Sequence, residues 1–142
     1  MNAIATVLVV DDEELVRACY LRILVGRQCQ VREAGNGADA LQLMQQQAFD
    51  VVLLDQKLPG LDGMATLKSI KALWPETEVI MITGYPALES AKEAVMLGAY
   101  DYLAKPVGPD EVIQAASSAL THKRWRLHRD VGAARPCGSP AG

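Results

Sequence analysis

The chain has 142 residues, half of them hydrophobic and 22% charged, a balance that fits one globular domain with a real core. No apolar run approaches the roughly 18 residues of a membrane span. The N-terminus also lacks a charged stretch followed by a long apolar one, so a cytoplasmic chain with no membrane contact is expected.

The net charge of −3 is divided unevenly. Residues 1–121 hold 9 Lys and Arg against 16 Asp and Glu, giving −7, and residues 122–142 hold 5 against 1, giving +4. An acidic domain of this kind is not expected to bind nucleic acid directly. Cys19, Cys29 and Cys137 form no CxxC pair. That argues against a disulfide framework or a zinc site, and for two small core or near-core residues and one tail thiol.

In chain order, Thr6 to Val10 is a β-branched apolar run, and Glu13 to Val25 follows with helical spacing through Leu15, Ala18, Cys19, Arg22 and Ile23. A weaker strand runs from Cys29 to Ala34. The helix expected over Gly37 to Gln47 carries Ala40, Leu41, Leu43 and Met44. Val51 to Leu54 is a strand, and Gly63 to Leu73 a helix with Leu67, Ile70 and Leu73 on one face. Val79 to Thr83 is the next strand, and Ala87 to Leu97 the next helix, with Gly98 as its stop. Ala99 to Leu103 is a weak strand. Pro109 to Leu120 is a helix with Pro109 in its first turn and Asp110 and Glu111 complementing its dipole. His122 to Arg126 can extend that helix, whereas Val131 to Gly142 is rich in Ala, Gly and Pro and reads as disordered. The expected division is a domain over 1–121 and a basic helix extension with a disordered tail over 122–142. The tail reads as a solvated or partner-contacting segment, being too short to fold alone as a sequence-specific reader.

Near-continuous apolar strands alternating with helices imply βαβ units, a parallel sheet and helices on both faces. Ligands of such α/β sheets sit outside the carboxyl ends of the strands. There the sequence places Asp11 and Asp12, then Asp55, then Thr83, then Lys105 and Pro106. Three carboxylates crowded together raise one another's pKa, and a hard divalent cation such as Mg²⁺ relieves that repulsion. A carboxylate can also attack phosphorus, and an ammonium and a hydroxyl can then hold the charged oxygens. Singly these residues mean little: Asp11-Asp12 can be a helix cap, Thr83 structural and Lys105 a surface charge. The order in which they reach successive strand ends carries the signal.

The sequence resembles the receiver domain of two-component response regulators. The resemblance rests on Val9-Val10-Asp11-Asp12-Glu13, Leu53-Leu54-Asp55 with Leu58-Pro59-Gly60 and Asp62-Gly63, Ile82-Thr83-Gly84, and Gly98-Ala99-Tyr100-Asp101-Tyr102-Leu103 leading to Lys105-Pro106, across roughly residues 5–121. It implies a flavodoxin-like α/β fold, a doubly wound five-stranded parallel sheet of order 2-1-3-4-5 with five helices. It also implies a switch, not an enzyme beyond taking a phosphoryl group from a donor and losing it again. Asp55 is then the phosphoacceptor. Asp12, Asp55 and the backbone carbonyl of Lys57 bind Mg²⁺, and Asp11 acts through water. Thr83 and Lys105 contact the phosphoryl group. The Lys105–Pro106 peptide is expected to be cis, and Tyr102 to be an aromatic switch coupled to Thr83.

The implied donor is a sensor histidine kinase or phosphotransfer protein docking on the first helix near Leu15 and Ala18, unless those residues serve only core packing. The implied output is a downstream protein effector meeting the fourth helix, fifth strand and fifth helix. A phosphorylation-dependent homodimer is compatible, although the full set of charged pairs seen in winged-helix regulators is not evident.

Two positions depart from fast switches. Lys57 and Tyr85, each two residues beyond a site residue, line the expected path of the attacking water and would slow dephosphorylation unless both point to solvent. The chain reads as a stand-alone receiver, or alternatively as a regulatory module cut from a larger transcription factor or hybrid kinase. A Mg²⁺-dependent phosphatase with an aspartyl nucleophile would need an acid two residues after Asp55, where Lys57 stands.

Overall fold

The computed structural model describes residues 5–133. The elements alternate strictly: β1 (Thr6–Val10), α1 (Glu14–Val25), β2 (Gln30–Ala34), α2 (Gly37–Gln46), β3 (Val51–Asp55), α3 (Gly63–Leu73), β4 (Glu78–Thr83), α4 (Leu88–Met96), β5 (Asp101–Ala104) and α5 (Pro109–Ala133). The strands form one parallel sheet in the order β2-β1-β3-β4-β5, as expected.

Alternation along each strand divides the core into two layers. On one face Leu8, Val10, Val52, Leu54, Val79 and Met81 pack under α2, α3 and α4, through Ala40, Met44, Leu67, Ile70 and Ala94. On the other, Val7, Val9, Val51, Leu53, Ile80 and Ile82 pack under α1 and α5, through Tyr20, Leu24, Val112, Ala116 and Ala119. β1, β3 and β4 are therefore covered on both sides, which explains their unbroken apolar runs.

Local chemistry sets the ends of several elements. Asn36 and Asp62 cap α2 and α3 by accepting from the backbone N–H of Asp39 and Ala65. Gly98, just past the end of α4, has φ +102, a conformation that favours glycine. Pro109 occupies the first position of α5.

Several expectations are corrected. The inward face of α1 is Val16, Tyr20, Ile23 and Leu24, whereas Leu15, Ala18 and Cys19 are exposed. Cys19 is thus a surface thiol, whereas Cys29 is partly buried; Cys137 lies outside the described residues. Leu73 of α3 is likewise exposed. Finally, α5 continues past Leu120 through the expected basic extension, but its backbone stays helical through Ala133, past Val131 where disorder is expected, and the rest of that tail lies outside the described residues. His122, Lys123 and Arg126 are partly buried instead of solvated.

Candidate functional site

The strand order reverses about β1, whose neighbours are β2 and β3. Ligands of doubly wound sheets bind at such a point, beyond the carboxyl ends of the strands. Asp11 follows β1 directly and Asp55 is the last residue of β3. Together with Asp12 they offer carboxylate oxygens that all lie within 4.8 Å of one another, with Asp11 and Asp55 buried and Asp12 exposed. Asp11 does not cap α1, since Glu13 holds the cap position. Its Oδ1 instead accepts the Glu13 backbone N–H at 2.9 Å, and its carbonyl accepts Arg17 Nη1 at 2.7 Å.

Lys105, just after β5, reaches across the sheet edge. Its Nζ donates to Asp11 Oδ2 at 2.8 Å and lies 3.5 Å from Asp55 Oδ2. The Lys105–Pro106 peptide is cis, and the Lys105 N–H donates to the Thr83 carbonyl at 2.8 Å. Thr83 ends β4 fully buried, with its Oγ1 accepting the Tyr85 N–H at 3.0 Å. All of the strand-end residues named from the sequence therefore meet at one edge.

Burial, then the charge of Asp11, pushes the Asp55 carboxyl above the usual carboxylate range, against the pull of Lys105 and of the Lys57 N–H, which lies 3.3 Å from Asp55 Oδ1. Burial lowers the Lys105 ammonium, but its hydrogen bond to Asp11 and the charges of Asp11 and Asp55 outweigh this and leave its pKa raised. One ammonium thus pairs with two of three clustered carboxylates. The all-oxygen donor set with residual negative charge fits a hard divalent cation.

Two features escaped the sequence reading. Gln56 is a bridge: its Oε1 accepts the Tyr102 hydroxyl at 2.9 Å and its Nε2 donates to Ser90 Oγ of α4 at 3.2 Å. It joins the residue after Asp55 to both β5 and α4, and only its position next to the acceptor could have pointed to it. Arg17 bonds the Asp11 carbonyl and also pairs with Glu33 of β2 at 2.8 Å. Lys57 and Tyr85 are both exposed, but they meet, with Lys57 Nζ 5.4 Å from the centre of the Tyr85 ring.

A parallel sheet with three carboxylates, a hydroxyl and an ammonium along one edge defines an α/β domain whose acidic cluster fits phosphorylation and a cation. The chain belongs to the response regulator receiver family: residues 7–117 match the model of the response regulator receiver domain. It is similar to the transcriptional regulatory protein ZraR of Salmonella typhimurium, at 38% identity over 95% of this chain and 30% of that protein. The DNA-binding transcriptional regulator NtrC of Escherichia coli is 38% identical over 80% of this chain and 24% of its own length. Among solved structures, a CheY-like receiver domain protein of Methanospirillum hungatei superposes with a TM-score of 0.85 at 27% identity, covering 87% of this chain and 99% of that one. NtrX of Brucella abortus superposes with a TM-score of 0.83 at 38% identity, over 94% of this chain and 30% of its own. The chain thus spans less than a third of these curated relatives. Receiver domains are signalling switches that interact with histidine kinases and effector domains.

Proposed function

We propose that Asp55 accepts a phosphoryl group from a phosphohistidine of a sensor kinase or phosphotransfer protein, with Mg²⁺ beside it, in the cytoplasm. The observation that carries this is the placement of Lys105 Nζ 2.8 Å from Asp11 and 3.5 Å from Asp55, within a set of three clustered carboxylates. An Asp55 oxygen forms the new P–O bond as the donor P–N bond breaks and its electron pair returns to the imidazole. Asp12, Asp55 and the Lys57 carbonyl would hold Mg²⁺ directly and Asp11 through water, and the ion would supply neutralisation of phosphoryl oxygens. Lys105 holds a further oxygen, and the Thr83 hydroxyl donates to another after leaving the Tyr85 N–H.

Leu15 and Ala18 stand exposed on α1, which supports a donor docking face there and not a packing role. The output is carried by Tyr102 and the α4, β5 and α5 face to a protein effector, and Gln56 supplies a direct connection from the acceptor strand to both Tyr102 and α4. The chain performs no turnover beyond its own phosphorylation and dephosphorylation, and Lys57 and Tyr85 slow the latter. The test is uptake of phosphate from a small acyl phosphate, with Mg²⁺ and after chelation. Uptake that requires Mg²⁺ and falls sharply in Lys105→Met is expected. Uptake indifferent to both would defeat the assignment.

A further inference from the structure

The phosphorylation site makes no use of the basic extension, yet the extension is anchored. Glu78 opens β4 with 1% of its surface exposed. His122 Nδ1 contacts its Oε2, Arg126 Nη1 lies 3.7 Å from the same oxygen, and Lys71 Nζ lies 3.8 Å from Oε1. Arg126 also donates to the Pro75 carbonyl at 2.7 Å. On the neighbouring strand, Asp50 directly precedes β3, and Lys123 Nζ donates to its Oδ1 at 2.5 Å. The Thr6 N–H donates to the other Asp50 oxygen at 2.9 Å. The His122 ring lies between Tyr100 and Trp125, with centroids 5.1 and 6.0 Å away.

These anchors stand at the bases of β3 and β4, two of the four strands whose far ends carry the site. β3 runs from beside Asp50 to Asp55, and β4 runs from Glu78 to Thr83. α5 bridges the two bases, through Lys123 to one and through His122 and Arg126 to the other. A shift of β4 against β3 at the Thr83 end is also a shift of Glu78 against Asp50, which the bridge resists. A free helix end would leave the buried Glu78 with Lys71 as its remaining cation partner among the described residues, which favours the docked bridge.

We propose that residues 122–126 are a strap tying the base of β4 to the base of β3, energetically coupled to the phosphorylation site at the other ends of the same strands. The coupling rests on the phosphoacceptor reading given above, whereas the docking of the strap does not. By reciprocity, a ligand at Asp55 that changes how tightly the strap is held is itself bound differently when the strap is released.

Hydrogen exchange of the backbone amides of 121–128 tests this on the full chain, with Mg²⁺ and beryllofluoride as the phosphoryl mimic. In the Glu78→Gln, Asp50→Asn double variant these amides should exchange about tenfold faster or more while those of β1 and β3 stay slow. Lys123→Met with Arg126→Met provides a second release that leaves Glu78 its Lys71 and His122 partners. In the wild-type chain, saturating beryllofluoride should change exchange of the same amides by about fivefold or more, and this response should be lost in the released variants. Unchanged exchange in both released variants overturns the strap. A wild-type chain whose strap ignores the mimic, while its fluorine NMR signal shows Asp55 occupied, overturns the coupling. Absence of that bound signal instead defeats the phosphoacceptor reading, and the coupling with it, while the variant comparison still decides the docking.

Discussion

At the scale of single residues, the site is held in a state of unbalanced charge. Burial and Asp11 raise the Asp55 pKa, so ionising this carboxyl opposes folding. The contribution is fully favourable below the unfolded value of about 4 and is lost as pH rises through the folded value. At neutral pH without metal, Asp55→Asn should therefore raise the melting temperature by about a few degrees, measured by calorimetry, and Mg²⁺ should stabilise the wild-type chain more than the variant.

A second prediction concerns Lys57 and Tyr85. A cation–π contact at an exposed site is worth about 0.5–1 kcal/mol, which corresponds to roughly a two- to fivefold change in rate. Lys57→Ala or Tyr85→Ala should shorten the phosphoryl lifetime by that much, and the double variant should add little to either. Decay followed by intact mass reads this directly, and additive effects would show that the pair does not act as one cover. Asp11, Asp12, Asp55, Thr83 and Lys105 were legible because their chemical types fall at successive strand ends. Gln56 was not, because an amide beside an acceptor carries no signal until Tyr102 and Ser90 are seen to converge on it.

At the scale of elements, the sequence revealed strands better than helix faces. β1, β3 and β4 are buried on both sides, so their apolar runs are continuous. The faces of α1 are hard to separate in sequence because its apolar residues run around the helix: Leu15, Ala18 and Cys19 are apolar and yet face outward, while the buried positions are Tyr20 and Leu24. An exposed docking face and a core face look alike in composition. The link between β3 and α3 shows how closely an element boundary is set. A Cβ on Gly63 would lie 2.4 Å from the Asp55 carbonyl oxygen and 2.5 Å from Gln56 Cα. Neither is a flexible chain end, so Gly63→Ala must displace the backbone at the acceptor. It should cost about 1–3 kcal/mol in chemical denaturation and slow phosphorylation as well. A neutral outcome would mean that the acceptor loop is looser than these distances indicate.

At the scale of the whole molecule, part of the charge asymmetry visible in the sequence is complementarity within one fold, through Lys123 and Arg126. The basic extension binds acids at the base of the sheet, and this could not be read from the chain because Asp50 and Glu78 lie far from it in sequence. Burial alone would raise Asp50, but the Lys123 hydrogen bond, the Thr6 N–H and the charges of Lys123 and Arg124 leave its pKa lowered. Its stabilising contribution is therefore present above the unfolded value of about 4 and disappears as pH falls through the folded value. Lys123→Met should cost about 1–2 kcal/mol at neutral pH, between an exposed and a buried charged hydrogen bond. The gap between variant and wild-type stability should close in acid. A gap that persists at low pH would assign the loss to packing of the Lys123 side chain.

The central claim is that Asp55 becomes phosphorylated. Incubation with a small acyl phosphate and Mg²⁺, followed by intact mass, measures it most directly. The wild-type chain should gain the mass of one phosphoryl group and Asp55→Asn should gain none. An unmodified wild-type chain, or equal modification of the variant, would contradict the account.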